Sequence, residues 1–301
     1  MNIKYWIKAA RLRTLPLAFS CILISAALAV IAQKTISFKL LFLTLTTTLL
    51  LQILSNFAND YGDAIKGADK NRIGEPRMVE SGKISKSQMK FAIIIFGFLS
   101  FIFGSVLTFS AFPDNFFNIL IFLCLGIGAI TAAIKYTVGK SAYGYKAYGD
   151  FSVFIFFGLI GVIGSYYIFT HSFNWITLPA SLFTGFLSCS VLNLNNMRDY
   201  HNDKSNNKVT LVVKIGVKRA KNYHFFLIGL AVSSFSILLA YTSLIYILGA
   251  IPLFVLIKHL IMVKNESNLR NLDGQLKIVA LTCFSSSLTY FIISLSNSFI
   301  S

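Results

Sequence analysis

Two short stretches of this 301-residue chain carry oxygen ligands at a spacing that suits divalent-metal chemistry. One reads Asn59-Asp60-Tyr61-Gly62-Asp63 and continues to Lys66-Gly67-Ala68-Asp69. The other reads Asn195-Asn196-Met197-Arg198-Asp199 and continues through His201 to Asp203. Both contain Asn-x3-Asp. Residues four apart share a helix face, so Asn59 and Asp63 form one column of oxygens, and Asn195, Asp199 and Asp203 another. Clustered carboxylates repel one another and are expensive beside a bilayer; a cation has to offset them. Hard oxygen ligands favour Mg2+, which keeps several waters and bridges a few carboxylates to substrate phosphates. Lys66, Arg72, Lys135 and Arg198 are the basic residues suited to the phosphate oxygens that a metal leaves uncovered. The bland alternative is a pair of solvated, charged loops. It suits a single aspartate pair better than two matching clusters, each following an apolar run.

The elements that must position these residues are membrane helices. Hydrophobic residues make up 55% of the chain and charged ones only 13%, with a mean hydropathy of +0.70. Soluble domains carry about 25% charged residues. Apolar runs fall at 15–32, 39–57, 90–111, 116–134, 151–170, 176–197, 222–241, 243–263 and 276–296, near the ~20 residues a spanning helix needs. Backbone groups in hydrocarbon must bond internally, which leaves helices or a closed barrel, and long unbroken runs exclude the barrel. The expectation is an all-α polytopic bundle of about nine transmembrane helices, one domain over 1–301. Residues 1–14 form an amphipathic segment lying at the interface, or else a basic flank that orients the first span.

Orientation follows from Lys and Arg. With the N-terminus inside, 25 of the 27 fall in or beside inward-facing segments, leaving only Lys34 and Lys39 outside. That predicts a multi-pass protein of a bacterial cytoplasmic membrane, N-terminus in and C-terminus out, with both acidic clusters on cytoplasmic loops. The net charge of +16 is dispersed over five such segments, which argues against a nucleic-acid footprint. The four cysteines show no CxxC spacing. The four histidines look scattered, with no ligand spacing, and His201 is expected to face solvent.

The two clusters resemble the paired aspartate-rich motifs of the UbiA superfamily of intramembrane aromatic prenyltransferases. Further stretches carry the likeness: Ala10-Arg11-Leu12-Arg13-Thr14-Leu15-Pro16, Asn56 through Asp69, Lys135-Tyr136-Thr137-Val138-Gly139, Tyr143-Gly144-Tyr145 with Gly149-Asp150, and Asn195 through Asp203 with Thr210-Leu211. They are most similar to the menaquinone branch, the 1,4-dihydroxy-2-naphthoate polyprenyltransferases. The resemblance implies Mg2+-dependent transfer of a polyprenyl chain from polyprenyl diphosphate to 1,4-dihydroxy-2-naphthoate, with loss of CO2 and diphosphate. It assigns the metal, through the diphosphate, to Asn59, Asp60, Asp63, Asp69, Asn195, Asp199 and Asp203, and the diphosphate to Lys66, Arg72, Lys135 and Arg198. Asp63, Asp199 and Asp150 would be catalytic, Asp150 orienting or deprotonating the acceptor phenol; an acid beside a helix N-terminus explains Asp150 nearly as well. Asn56, Tyr61, Tyr136 and Tyr143 would line the acceptor and prenyl pocket. Five residues separate Asp63 from Asp69, where some relatives have three, so which of Asp60, Asp63 and Asp69 touches metal stays open. Two other readings compete. One keeps the enzyme and changes the acceptor to p-hydroxybenzoate, homogentisate, a haem or a chlorophyllide. The other is a cation or metabolite transporter, which the clustering of acids at one surface disfavours, since transport sites lie near the midplane.

Overall fold

The second apolar run does not stop where its hydrophobicity stops. In the computed structural model, which describes residues 2–68 and 76–300, it continues as one helix, α3, over Phe38–Lys66. Ser37 opens it by accepting the Leu40 N–H at 3.3 Å. Gly67 closes it in the left-handed conformation, φ +70°, which costs glycine nothing. At 1.5 Å per residue, 29 residues extend about 44 Å, well beyond a ~30 Å hydrocarbon core. The final turns therefore project past the apolar layer, and they carry Asn59, Asp60 and Asp63. The first motif was expected in a loop after a span ending near residue 57; it sits on the helix itself. The correction has a physical cause: the polar side chains find partners beside the helix, so the helix has no reason to end.

The remaining helices follow the apolar runs to within about five residues. A short helix α1, Ile3–Ala10, is capped by Asn2, whose side chain accepts the Lys4 N–H. It turns at Arg11, φ 49°, into α2, Leu15–Gln33. Beyond α3 come α4, Lys86–Ala111; α5, Phe116–Lys135; α6, Gly149–Thr170; and α7, Thr177–Arg198. The short helices α8, Tyr200–Ser205, and α9, Leu211–Ile215, lead into α10, Val217–Ala240; α11, Leu244–Asn265; and α12, Asp273–Ile300. Among the described residues, nine helices are long and apolar enough to span a membrane. Large apolar side chains cover their outer faces: Phe91, Phe98, Phe116, Phe117, Phe226 and Phe254 are all more than half exposed. Water would not tolerate so continuous an apolar surface, whereas lipid does.

The main core joins α2, α6, α7, α10 and α12, with Ala26, Ala27 and Ala29 fully buried so that neighbouring backbones approach closely. A second cluster gathers α1, the end of α3, the start of α4 and the 78–84 segment, with Trp6 edge-on to Phe57 at 5.5 Å. In α1, Ile3 and Ile7 stay exposed while Ala9 and Ala10 are buried. Both motifs sit on helix ends, the first on the last turns of α3 and the second across the junction of α7 and α8.

One contact locks the first motif to the segment after α5. A Cβ built on Gly62 would lie 2.6 Å from Thr137 Oγ1 and 2.8 Å from its carbonyl carbon, so α3 and this segment touch backbone to backbone. By contrast, nothing lies within 4 Å of a Cβ at Gly229, on α10. Gly62→Ala should therefore cost about 1–3 kcal/mol of stability through overpacking, and Gly229→Ala should be neutral or slightly stabilising. Thermal unfolding of both variants in detergent checks this; equal unfolding temperatures would contradict the close approach.

Candidate active site

Asp63 stands at the centre of the polar end. It is about 1% exposed, too buried to remain an uncompensated charge. Arg77 Nη2 donates to it at 2.9 Å, the Tyr145 hydroxyl at 2.7 Å, and Lys208 Nζ spans both oxygens at 3.3 and 3.4 Å. Each donor is delivered by its own device. Arg77 is placed by Asp60, whose two oxygens accept the backbone N–H groups of Met78 at 2.9 Å and Val79 at 3.0 Å. Tyr145 and Lys208 come together because their loops pair: Ala147 N–H donates to Val209 O at 2.8 Å, with a parallel bridge between Lys146 and Val209. Lys66 lies 3.9 Å from the Tyr145 ring centroid, a cation–π contact that packs the ring from outside.

The N-terminal elbow forms another wall. Asn56 Nδ2 donates to Ala10 O at 2.8 Å and to Thr14 Oγ1 at 3.2 Å, and Gln52 Nε2 reaches the same hydroxyl at 2.8 Å. These bonds draw the elbow over α3, so that Arg11 and Arg13 line the cavity described below. Asn59 Oδ1 accepts from Thr137 Oγ1 at 3.2 Å.

The second motif keeps its four-residue column across the junction of α7 and α8, because Asp199 N–H bonds Asn195 O at 3.1 Å and Asp203 N–H bonds Asp199 O at 2.8 Å. Arg198 is fully buried here. It grips Asp199 with Nε at 2.8 Å and Nη2 at 2.7 Å, and donates to Asn195 Oδ1 at 2.7 Å. Its Nη1 donates to Asp273, at the start of α12, and Arg13 Nη1 reaches the same carboxylate at 3.3 Å. Asn202 Nδ2 donates to Ala68 O at 2.6 Å, tying the far ends of the two motif stretches to each other.

Both ends open on one cavity of about 410 Å3. Its polar mouth is lined by Arg11, Arg13, Asn56, Asn59, Asp63, Arg77, Asn195, Asn196 and Lys208. Its apolar depth is lined by Leu17, Ile22, Leu51, Leu107, Phe122, Leu125, Phe156, Ile160 and Ile168. Thr47 and Asp63, both on its wall, lie 16 residues apart on α3, about 24 Å of helix.

Of the residues singled out in the sequence, Asn56, Asn59, Asp63, Asn195, Tyr136 and Tyr143 line this cavity. Asp199 and Arg198 lie directly behind Asn195, and Asp203 is buried one turn further on. Asp60 turns into the 76–80 segment rather than the cavity. Tyr61 packs into the second core cluster, Lys66 sits on Tyr145, and Lys135 is exposed outside the cavity wall. Asp150 is buried beside the Tyr223 hydroxyl and is not part of the wall. Asp69 and Arg72 lie outside the described residues. Sequence reasoning missed Arg77, Lys208 and Asp273. Two of these belong to the stretches following the motifs, and Asp273 is a carboxylate at a membrane-helix terminus, a signal that was there to be read. The histidines need a correction too: His224 and His259, 35 residues apart, meet in the bundle with Nε2 atoms 2.8 Å apart, and His259 Nδ1 lies 2.7 Å from Gln275 Oε1. Helix packing, which local spacing cannot reveal, brings them together. His201 is exposed, as expected.

The donor set suits magnesium. Asn59, Asp63, Asn195 and Asp199 offer hard oxygens, while among the described residues no three His, Cys, Asp or Glu groups form a closed cage. An ion here must take further ligands from water or phosphate, as Mg2+ does. Tyr136 and Tyr143 meet edge to face at 5.2 Å, and burial pushes both phenols above their usual pKa, so they stay neutral.

Residues 18–273 match the model of the UbiA prenyltransferase family. The chain is 41% identical over 291 residues to a 1,4-dihydroxy-2-naphthoate octaprenyltransferase of Haemophilus influenzae, covering 93% of each chain. It is 45% identical over 221 residues to the protein of the same name from Escherichia coli, covering 73% of this chain and 71% of that one. In fold it is similar to a UbiA homologue from Archaeoglobus fulgidus bound to DMAPP and Mg2+, at a TM-score of 0.58 and 19% identity, over 95% of this chain and 98% of that one.

The bonds made by Asp60 generate a test of their own. Asp60→Asn replaces one acceptor oxygen by an N–H2 facing a backbone N–H, which should cost about 1–3 kcal/mol and lower the thermal unfolding temperature in detergent. An unchanged temperature would contradict the anchoring role.

Proposed function

The chain belongs to the UbiA prenyltransferase family, and from that membership we propose that it transfers a polyprenyl chain from polyprenyl diphosphate to 1,4-dihydroxy-2-naphthoate, releasing diphosphate and CO2. The observation that carries the reading is the convergence of Asn59 and Asp63 with Asn195 on one cavity wall, between Arg77 and Lys208 and above a deep apolar chamber. The relatives named for this reaction, at 41% and 45% identity, support the acceptor.

Each part of the reaction finds residues to serve it. Diphosphate leaves only when its growing charge is neutralised; bound magnesium would supply part of that neutralisation. Asn59, Asp63, Asn195 and Asp199 would hold the ion, with Asp203 one turn behind. Arg77 and Lys208 already stand at the mouth. Lining the cavity and bonded to Asp63, these two cations would also bind phosphate oxygens through charge-assisted hydrogen bonds. Arg198 holds Asp199 in place from behind. The allylic cation left by ionisation would lie against Tyr136 and Tyr143, whose neutral ring faces stabilise positive charge by about 0.5–2 kcal/mol each. The chamber beneath them excludes water from that cation, and its length suits an extended isoprenoid tail. We place this end of the bundle at the cytoplasmic face of a bacterial inner membrane, N-terminus inside, because the basic residues sort to that side.

The decisive assay combines purified protein, Mg2+, a polyprenyl diphosphate and a panel of phenolic acids. The expected result is product with dihydroxynaphthoate, CO2 release, and abolition by EDTA. Asp63→Ala and Asp199→Ala should each lower turnover by at least about 10²–10³-fold while still folding in membranes. Near-normal turnover in either would contradict the metal assignment, and prenylation of p-hydroxybenzoate alone would move the acceptor.

A further inference from the structure

Asp199 and Asp63 meet the same difficulty in different ways. Each is a buried carboxylate whose charge is balanced by a guanidinium, and each must give up part of that partnership to accept a metal. If Asp63 does so, Arg77 and Lys208 still face the cavity, where phosphate oxygens would take up their charge. Arg198 has no such outlet: it is fully buried and forms no part of the cavity wall. A second carboxylate beside Arg198 would hold that charge whenever Asp199 turned toward a metal, where a buried imbalance costs several kcal/mol.

The structure supplies that second carboxylate. Asp273 accepts Nη1 of Arg198, while its other oxygen lies 3.3 Å from Nη1 of the cavity-lining Arg13. It is held on a fixed post. Two residues further along the same helix, Gln275 bonds His259, and His259 bonds the buried His224 on α10. Leu276, in the same first turn, lines the cavity. An acid there solely to complement the α12 dipole would not need to face two arginines from residues 13 and 198.

We propose that Asp273 is a positioning residue for magnesium–diphosphate binding, holding the charge of Arg198 when Asp199 turns to the metal. This rests on the reading of the cavity as a magnesium–diphosphate site. Around it, Asp63, Asp199, Asp203 and Asp273 stand among Arg11, Arg13, Arg77, Arg198 and Lys208. Neutralising Asp273 removes one carboxylate from Arg198, so that Arg198 bears more heavily on Asp199, and makes the site more positive. Both effects weaken the hold on a dication.

The experiment uses full-length protein in detergent, inorganic pyrophosphate as the probe, and thermal unfolding recorded against Mg2+ concentration. Asp273→Asn should raise the Mg2+ concentration for half-maximal stabilisation by about tenfold, the scale of one lost charge interaction at the edge of a buried site. Asp273→Glu should return it to near the wild-type value. Arg13→Gln, which removes a positive charge and leaves Asp273 to Arg198, should shift the midpoint the opposite way and keeps the test available should Asp273→Asn fail to fold. A uniform loss of unfolding temperature with an unmoved midpoint would mean that Asp273 only caps its helix, and overturns the proposal. So would the absence of Mg2+-dependent stabilisation in the wild type. If the midpoints move as expected while dihydroxynaphthoate is never prenylated, the acceptor reading fails and the role of Asp273 stands.

Discussion

A carboxylate buried at the end of a membrane helix must have a positive partner, and most of the polar end of this protein is arranged to satisfy that constraint for Asp63 and Asp199. Asp63 draws in Arg77, Lys208 and the Tyr145 hydroxyl from three different segments; Asp199 draws in Arg198. Removing one partner from such a pair typically costs about 3–5 kcal/mol, because the other charge stays behind. The same pairings therefore hold the loops in place around both acids.

That constraint explains features that otherwise look unrelated. Asp60 gives both oxygens to a backbone turn because the turn carries Arg77. The loops after α5 and α8 pair briefly at Lys146 and Val209 because Tyr145 and Lys208 must arrive together. The first residues of the chain fold back over α3, and the first turn of the last long helix closes on Arg198, so residues 13 and 273 meet at the same spot. Below this charged collar the requirement reverses. The chamber walls are Leu, Ile and Phe, and the outer surface is the greasy face of a bundle made for lipid.

Much of this was legible in the residues. Apart from α3, which runs on to Lys66, apolar runs gave the spanning helices nearly to their ends, because length and hydropathy decide what crosses a bilayer. Two Asn-x3-Asp patterns pointed to the polar mouth, since i and i+4 share a face whatever the rest of the chain does. What stayed hidden depended on long-range pairing. Nothing local marks Lys208 or Arg77 as partners of Asp63, or Asp273 as the partner of Arg198, since these choices are made by loops and helices far apart in sequence. The same limit made His224 and His259 look unrelated. Asp60 shows the opposite failure: its spacing fitted a ligand, but a backbone turn that periodicity cannot foresee claims both its oxygens.

The central claim is that the ends of α3 and α7 jointly hold a single diphosphate headgroup. A cryo-EM structure in lipid nanodiscs with Mg2+ and a non-hydrolysable prenyl thiodiphosphate tests it most directly. The account predicts headgroup density bridging Asp63 and the Asn195–Asp199 turn, with Arg77 and Lys208 moved onto its oxygens and the tail descending past Tyr136 toward Phe122. Density held by only one of the two helix ends, or a headgroup seated outside this mouth, would contradict it.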